Sequence, residues 1–154
     1  MLSTELKTHS FLAGMPDSHL AKLVSLARKV EFSENEQILR AGDRSRYFYL
    51  LLSGSVCVEV TARAYTVEIQ ALGPGEAFGW SSLLEHHDTL FHVRARERST
   101  ALSFESGALC AVLQQDTALA ADLYRRTLRL VAGRVQASEA RLGEMCGVRM
   151  PPGA

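Results

Sequence analysis

The sequence predicts a mainly β domain with helices at both ends, and three observations support this. Short runs rich in Val, Leu, Phe and Tyr fill residues 30–104, and turn pairs such as Gly42-Asp43 and Ser53-Gly54 separate them. Helical spacing of apolar residues is found before and after this stretch. The length of 154 residues, with 47% hydrophobic and 22% charged residues, suits one domain. We therefore expect antiparallel strands in a barrel or sandwich.

The first helix is expected over residues 18–27. Pro16 and Asp17 are start signals, and Leu20 and Leu23 then recur at helical spacing. Strand alternation is clearest further on, where Val56 and Val58 share one face and a turn near Arg63 leads into the next strand. This order predicts a short helix followed by a run of paired strands.

Two helices are expected after the strands, a short one from Gly107 to Gln114 and a long one from Thr117 to Met145. Residues 146–154 contain two prolines and no periodic pattern, so they are expected to form a flexible tail. The predicted domain therefore spans residues 1–145.

The long helix carries an a/d spacing of about three heptads, which is typical of a coiled coil. We call these seven positions the heptad stripe: Tyr124, Leu128, Val131, Val135, Ser138, Leu142 and Met145. A second apolar set, at Leu119, Leu123 and Leu130, lies on another part of the helix. The pattern favours a homodimer through the stripe. The alternative is that the whole helix folds against its own domain.

Charge and motif content argue for a binding protein. Seventeen basic residues balance seventeen acidic ones, and the arginines of the long helix are mixed with acidic residues, so we expect no nucleic-acid partner. Cys57, Cys110 and Cys146 form no metal-binding pair, and no apolar run or leader predicts a membrane or export, so we expect no metal and a cytoplasmic location. No nucleophile or acid/base motif predicts an enzyme.

Three segments together resemble a known family. Phe32–Gly42, Tyr47–Val56 and Leu72–Gly79 follow the order of the cyclic-nucleotide-binding domains of catabolite activators and protein-kinase regulatory subunits, and Val93–Ala95 looks like the strand after the phosphate cassette. The resemblance implies an antiparallel β-roll, a double-stranded β-helix of jelly-roll type, with a short N-terminal helix and C-terminal helices. It implies a cyclic nucleotide, or another small anionic molecule, as the ligand. No residues remain for the winged helix that follows in transcription factors, so a stand-alone regulator acting through a partner protein is expected.

The phosphate cassette of this family reads Phe-Gly-Glu, two small residues, Leu and then, after a gap, Arg. The resemblance assigns the ligand-binding site to Phe78, Gly79, Trp80, Ser81, Ser82, Leu83, Thr89 and Arg94. Trp80 stands at the glutamate position, where an indole offers no acceptor for a ribose hydroxyl. Trp80 is expected either to stack on a planar ligand or to plug the pocket.

The arginine position of the cassette falls on Thr89, so the fixed positive charge is lost. Two charge-assisted hydrogen bonds amount to about 3 to 6 kcal/mol, which would turn micromolar binding into millimolar binding. Arg94 or a histidine at 86, 87 or 92 is a possible replacement. Strand alternation instead places Arg94 on the outer face, as a surface ion pair.

Two functions follow as hypotheses. The first is a sensor and regulatory domain with altered or weakened nucleotide binding. The alternative is a ligand-free dimeric interaction module in which Trp80 fills the pocket.

Overall fold

The computed structural model describes residues 1–62, 64–84 and 87–147. Within them the helices are α1 (Leu2–Thr8), α2 (Asp17–Leu26), α3 (Ser106–Gln115) and α4 (Thr117–Cys146), with 3-10 helices at Ser10–Leu12 and Trp80–Leu83. The strands are β1 (Arg28–Phe32), β2 (Gln37–Leu39), β3 (Tyr47–Ser53), β4 (Val56–Ala62), β5 (Tyr65–Leu72), β6 (Ala77–Phe78), β7 (His92–Ala95) and β8 (Ser99–Glu105). The turn expected at Arg63, the candidate His86 and the tail from residue 148 onward lie outside the described residues.

Two four-stranded antiparallel sheets form the body of the fold. One sheet has the order β1-β8-β3-β6 and the other β2-β7-β4-β5. They share an inner core between them, which consists of Phe32, Tyr49, Leu51, Val56, Val58, Leu72, Phe78, Val93, Ala95 and Ala101. This arrangement confirms the predicted antiparallel β-roll with an N-terminal helix and C-terminal helices.

The helices pack on the outside of the first sheet and create a second, outer core. Its largest fully buried side chains are Leu6, Leu12, Phe48, Leu50, Leu102, Phe104, Leu109, Leu119 and Leu123. Strand β3 serves both cores, because Phe48 and Leu50 face the helices while Tyr49 and Leu51 face the other sheet. A strand buried on both faces reads as a continuous apolar run, which explains the sequence of β3.

The helix predictions are confirmed with small shifts at the ends. Helix α2 lies one residue earlier than expected, and α4 runs to Cys146, one residue into the expected tail. The Asp116 carboxylate caps α4 by accepting from the Leu119 N–H at 3.0 Å, and Gly147 ends it in the left-handed conformation. Helix α1 was missed, because its seven residues show no repeating apolar pattern.

No helix in the described ranges is both long and apolar enough to cross a membrane. The three cysteines are free, with Cys57 buried, Cys110 half-buried and Cys146 exposed.

The turn between β3 and β4 depends on Gly54. Its φ of +89° is left-handed, and a Cβ there would lie 2.2 Å from the Ser99 hydroxyl oxygen and 2.7 Å from the Arg98 carbonyl oxygen.

Gly14 is a matched control for a substitution at Gly54, since its φ is +80° and no atom lies within 4 Å of its Cβ position. We expect Gly14→Ala to cost about 1 to 2 kcal/mol from backbone strain, and Gly54→Ala at least about 1 kcal/mol more from the overlap. Urea unfolding measures both changes, and an equal loss of unfolding free energy in the two variants would contradict this prediction.

His9 ties the N-terminal segment to β3. Its Nε2 donates to the Leu51 carbonyl at 2.8 Å, and its Nδ1 accepts from the Phe11 N–H at 3.2 Å. Burial lowers the pKa of His9 below 6.5, although the bond to Leu51 partly opposes this. The unfolded chain therefore takes up the proton first as the pH falls.

We expect the free energy of unfolding to be highest above about pH 6.5 and to fall below it, by at most about 1.4 kcal/mol per pH unit from this one group. His9→Gln keeps a donor for the Leu51 carbonyl but cannot titrate, so its stability should fall less steeply between pH 6.5 and 5. Urea unfolding at several pH values measures both slopes. Identical slopes would assign the pH dependence to other groups.

Candidate functional site

The cassette begins where β6 ends. Phe78 pairs with Tyr49 of β3, and Gly79 then turns the chain into the 3-10 helix Trp80–Leu83. Gly79 has a φ of +80°, and a Cβ there would lie 2.6 Å from the Tyr47 carbonyl oxygen. Both the turn and this close approach therefore require a glycine.

A small cavity lies in the roll beside the cassette. Cassette residues Phe78, Gly79, Trp80 and Ser81 line it together with Thr89. Its volume is about 20 Å³. That space holds roughly one water molecule, whereas pockets for small ligands are typically about 300 to 1,000 Å³. In this conformation the roll is closed.

Thr89 lies opposite the cassette and is buried. Its hydroxyl is 2.8 Å from the Ser45 hydroxyl, which in turn is 2.5 Å from the Ser81 hydroxyl. The Thr89 N–H donates to the Asp43 carbonyl at 2.8 Å, and its carbonyl accepts from the Gly42 N–H at 2.9 Å. Three neutral hydroxyl groups, bonded to one another, thus occupy the wall where the resemblance implies an arginine.

Two of the expected site residues turn their side chains away from the cavity. The Ser82 hydroxyl donates back to the Gly79 carbonyl at 2.6 Å, and its own carbonyl accepts from the Ser106 hydroxyl at 2.5 Å. Leu83 packs into the outer core. These residues hold the cassette in place through its backbone and its outer side.

Arg94 lies on the outer face of β7, while Val93 and Ala95 on the same strand are buried. Its Nε is 3.3 Å from a Glu59 carboxylate oxygen, and its Nη1 donates to the Asn35 carbonyl at 2.9 Å. The guanidinium is therefore an ion pair at the surface and does not line the cavity.

The described histidines also lie outside the cavity lining. His92 accepts from the Ala41 N–H at 3.2 Å, and the His87 Nδ1 is 3.0 Å from the Asp88 carbonyl oxygen. Among residues 1–62, 64–84 and 87–147, no cluster of three or more His, Cys, Asp or Glu side chains is placed to hold a metal ion.

Arg134 does line the cavity, and the sequence reasoning missed it. It is 5% exposed on α4, where Nη1 donates to the Gln70 side-chain oxygen at 2.7 Å and Nη2 to the Ala77 carbonyl at 2.9 Å. Burial lowers the pKa of the guanidinium, and the Glu76 carboxylate opposes that shift. The available signal was its position four residues after Leu130, which continues the packed face of α4.

Trp80 is half-buried and packs against the outer core while also lining the cavity. The wall next to it is formed partly by Leu90 and Phe91, of which Leu90 is 52% exposed. The closed state therefore depends on several side chains at the surface of the roll.

The heptad stripe lies on the outside of α4. Five of its seven residues are exposed by roughly half or more: Tyr124 (48%), Leu128 (69%), Val135 (50%), Leu142 (56%) and Met145 (49%). Val131 and Ser138 are half-buried. The second apolar set packs on the domain, with Leu119 and Leu123 fully buried and Leu130 partly buried against the outer core. The two faces thus separate as the sequence predicted.

The family model described as "Cyclic nucleotide-binding domain" matches residues 29–116, which is more than half of the chain. The chain therefore belongs to this family, and the resemblance found in the sequence is confirmed.

Solved structures agree on the fold. A cyclic nucleotide-binding domain from Methylobacillus flagellatus is similar with a TM-score of 0.80 and 19% identity, over 97% of this chain and 86% of that one. A putative cyclic nucleotide-binding protein from Geobacter metallireducens is similar with a TM-score of 0.77 and 21% identity, over 88% of this chain and 98% of that one. The sensor domain of the transcriptional regulator DNR from Pseudomonas aeruginosa is similar with a TM-score of 0.68 and 19% identity, over 87% of this chain and 91% of that one. A comparison with curated proteins gave no significant match.

Proposed function

We propose that this chain is a sensor and regulatory domain in which cyclic-nucleotide binding is weakened to the millimolar range and whose output passes through α4. The observation that supports the proposal is the bonded group of neutral hydroxyls at Ser45, Ser81 and Thr89, since the resemblance implies a cation at Thr89. Hydroxyls can accept and donate hydrogen bonds, but they cannot neutralise a phosphate.

The positions of the other cations support the same conclusion. Arg94 is engaged with Glu59 on the outer face, so it would have to leave an ion pair and cross the strand to reach a phosphate. Arg134 reaches the cavity from the opposite side, but its guanidinium already holds Gln70 and Ala77. A nucleotide entering the roll would therefore meet no free cation among the described residues lining the cavity.

A related kinase regulatory subunit provides a parallel. A protein from Trypanosoma brucei, similar in fold with a TM-score of 0.62 and 21% identity, is described as the regulatory subunit of a cAMP-independent protein kinase A. A triple variant of that protein, in which one threonine is replaced by arginine, is described as bound to cAMP. We infer that a threonine at the position of the cassette arginine weakens cyclic-nucleotide binding in this chain.

A second candidate function is the ligand-free interaction module, and the cavity of about 20 Å³ favours it. In that case Trp80, with Leu90 and Phe91, keeps the roll filled, and the surface of α4 carries the whole function. The two candidates differ in one measurable property, since only the sensor binds a cyclic nucleotide at any concentration.

We also infer that the heptad stripe forms a homodimer. It runs from Tyr124 to Met145, about 32 Å at 1.5 Å per residue, and its repeat of three and four residues suits pairing with an identical helix. A row of half-exposed apolar side chains on one face is otherwise unfavourable in water. The free cysteines and the balance of charges support a cytoplasmic setting without a nucleic-acid partner.

The first test is a thermal-shift and calorimetric titration with cAMP and cGMP up to 10 mM. We expect the wild-type protein to bind with a millimolar dissociation constant, and Thr89→Arg to bind about a hundredfold more tightly because it restores the cation. Thr66→Arg adds the same charge on the exposed side of β5 and should change nothing. If Thr89→Arg does not fold, Ser45→Arg places a cation beside the same hydroxyls.

Micromolar binding by the wild-type protein would contradict the proposal. Binding by the arginine variants alone, with none by the wild type, would instead support the ligand-free module.

The second test concerns the dimer. We expect sedimentation at tens of micromolar to show a dimer for the wild-type protein and a monomer for Leu128→Glu, because each chain would place a carboxylate in the apolar seam. Leu84→Glu is a matched control, since Leu84 is 47% exposed and does not belong to the heptad stripe. A monomeric wild-type protein, or a dimer that survives Leu128→Glu, would overturn this assignment.

A further inference from the structure

A groove lies outside the roll, between α4, the β5–β6 connection and the 3-10 helix Ser10–Leu12. Its volume is about 420 Å³. Arg126, Arg129 and Arg134 of α4 line it, and Glu76 is the acidic residue of its lining. Three guanidinium groups against one carboxylate leave a local excess of positive charge on a chain whose formal net charge is zero.

The three arginines are not equally engaged. Arg126 pairs with Asp122 at 2.8 Å and donates to the carbonyls of Phe11 and Ala13. Arg134 is buried and holds only neutral oxygens, at Gln70 and Ala77. Arg129 is exposed, and its guanidinium makes no hydrogen bond or ion pair with any residue that the structure describes. The groove thus offers the available guanidinium of Arg129 and the buried one of Arg134, which has the Glu76 carboxylate nearby but hydrogen-bonds only to neutral oxygens among the described residues.

The carboxylate of Glu76 is engaged in a hydrogen bond within the protein. A Glu76 carboxylate oxygen accepts from the Gly73 N–H at 2.6 Å, which directs part of its charge toward the turn before β6. The floor of the groove also has room, because a Cβ on Gly133 would meet no atom within 4 Å. Glu76 offsets only part of the cost of burying Arg134, because burial still lowers the pKa of the guanidinium, and an anion arriving beside it would offset more.

We propose that this groove binds a small phosphate-bearing molecule, with Arg129 as its cationic ligand and the buried positive charge of Arg134 beside it. The volume falls within the range of small-ligand sites, and guanidinium groups match phosphate oxygens in pairs. The groove lies outside the roll and shares only Arg134 with the lining of the inner cavity, so the proposal does not depend on the function proposed above. A bound anion would join α4 to the β5–β6 connection and hold the helix against the roll.

The experiment uses inorganic pyrophosphate as the probe, at constant ionic strength set with sodium chloride, and measures binding by calorimetry. We expect saturable binding by the wild-type protein and a loss of affinity of about tenfold or more in Arg129→Gln. Arg129 is exposed, so the variant should fold normally. Arg125→Gln, on an exposed face of the same helix and outside the groove, is the matched control and should bind as the wild type does.

Gly133→Glu is a second variant, which places a carboxylate in the open floor of the groove and should abolish binding. Amide exchange gives an independent readout, since pyrophosphate should slow exchange in α4 of the wild-type protein and of Arg125→Gln, but not of Arg129→Gln. No saturable binding at 10 mM, or an equal loss in Arg125→Gln, would overturn the site. A gain of pyrophosphate affinity in Thr89→Arg with no loss in Arg129→Gln would place the anion in the roll and overturn it as well.

Discussion

The two-sided burial of β3 is the constraint on which the rest of the structure depends. Phe48 and Leu50 face the helices, while Tyr49 and Leu51 face the second sheet, so one strand joins the outer core to the inner core. The same strand pairs with β6 and leaves its Tyr47 carbonyl directly against Gly79. The position of the cassette is therefore set by packing that involves no ligand. The chain can lose ligand-contacting groups and still keep the shape of the site.

Within that fixed frame the cassette presents hydroxyl and indole groups. A hydroxyl network lies at Thr89, where the resemblance implies a cation, an indole lies at Trp80, where it implies an acceptor, and the only guanidinium in the described lining of the cavity comes from α4. Because Arg134 bonds to Ala77, immediately before the cassette, the helix and the cassette are mechanically connected. A movement of the backbone at Ala77 would either break this hydrogen bond or act on α4, which carries the heptad stripe.

Much of this could be predicted from the sequence, because the signals were local. Turn glycines, strand alternation and heptad spacing are properties of short segments, and they gave the roll, the last two helices and the exposed stripe. The family motif likewise predicted that Thr89 lies near the cassette, and Thr89 lines the same cavity. Arg134 could not be found in this way, because its burial depends on a helix packing against strands about sixty residues away in sequence. Arg129 and Arg134 are both arginines of α4, and their residue type alone does not show that Arg134 is buried while Arg129 is exposed. Helix α1 was too short to show a period.

The packed face and the heptad stripe of α4 have a consequence for how its length can vary. Each residue turns the helix by about 100°, so inserting one residue between Leu123 and Arg134 would rotate the distal half and turn Arg134 away from the roll. An insertion of seven residues beyond Arg134 would preserve both the buried guanidinium and the register of the stripe. Variants of this protein should therefore tolerate lengthening of α4 in whole heptads at its free end, and almost no change of length before Arg134.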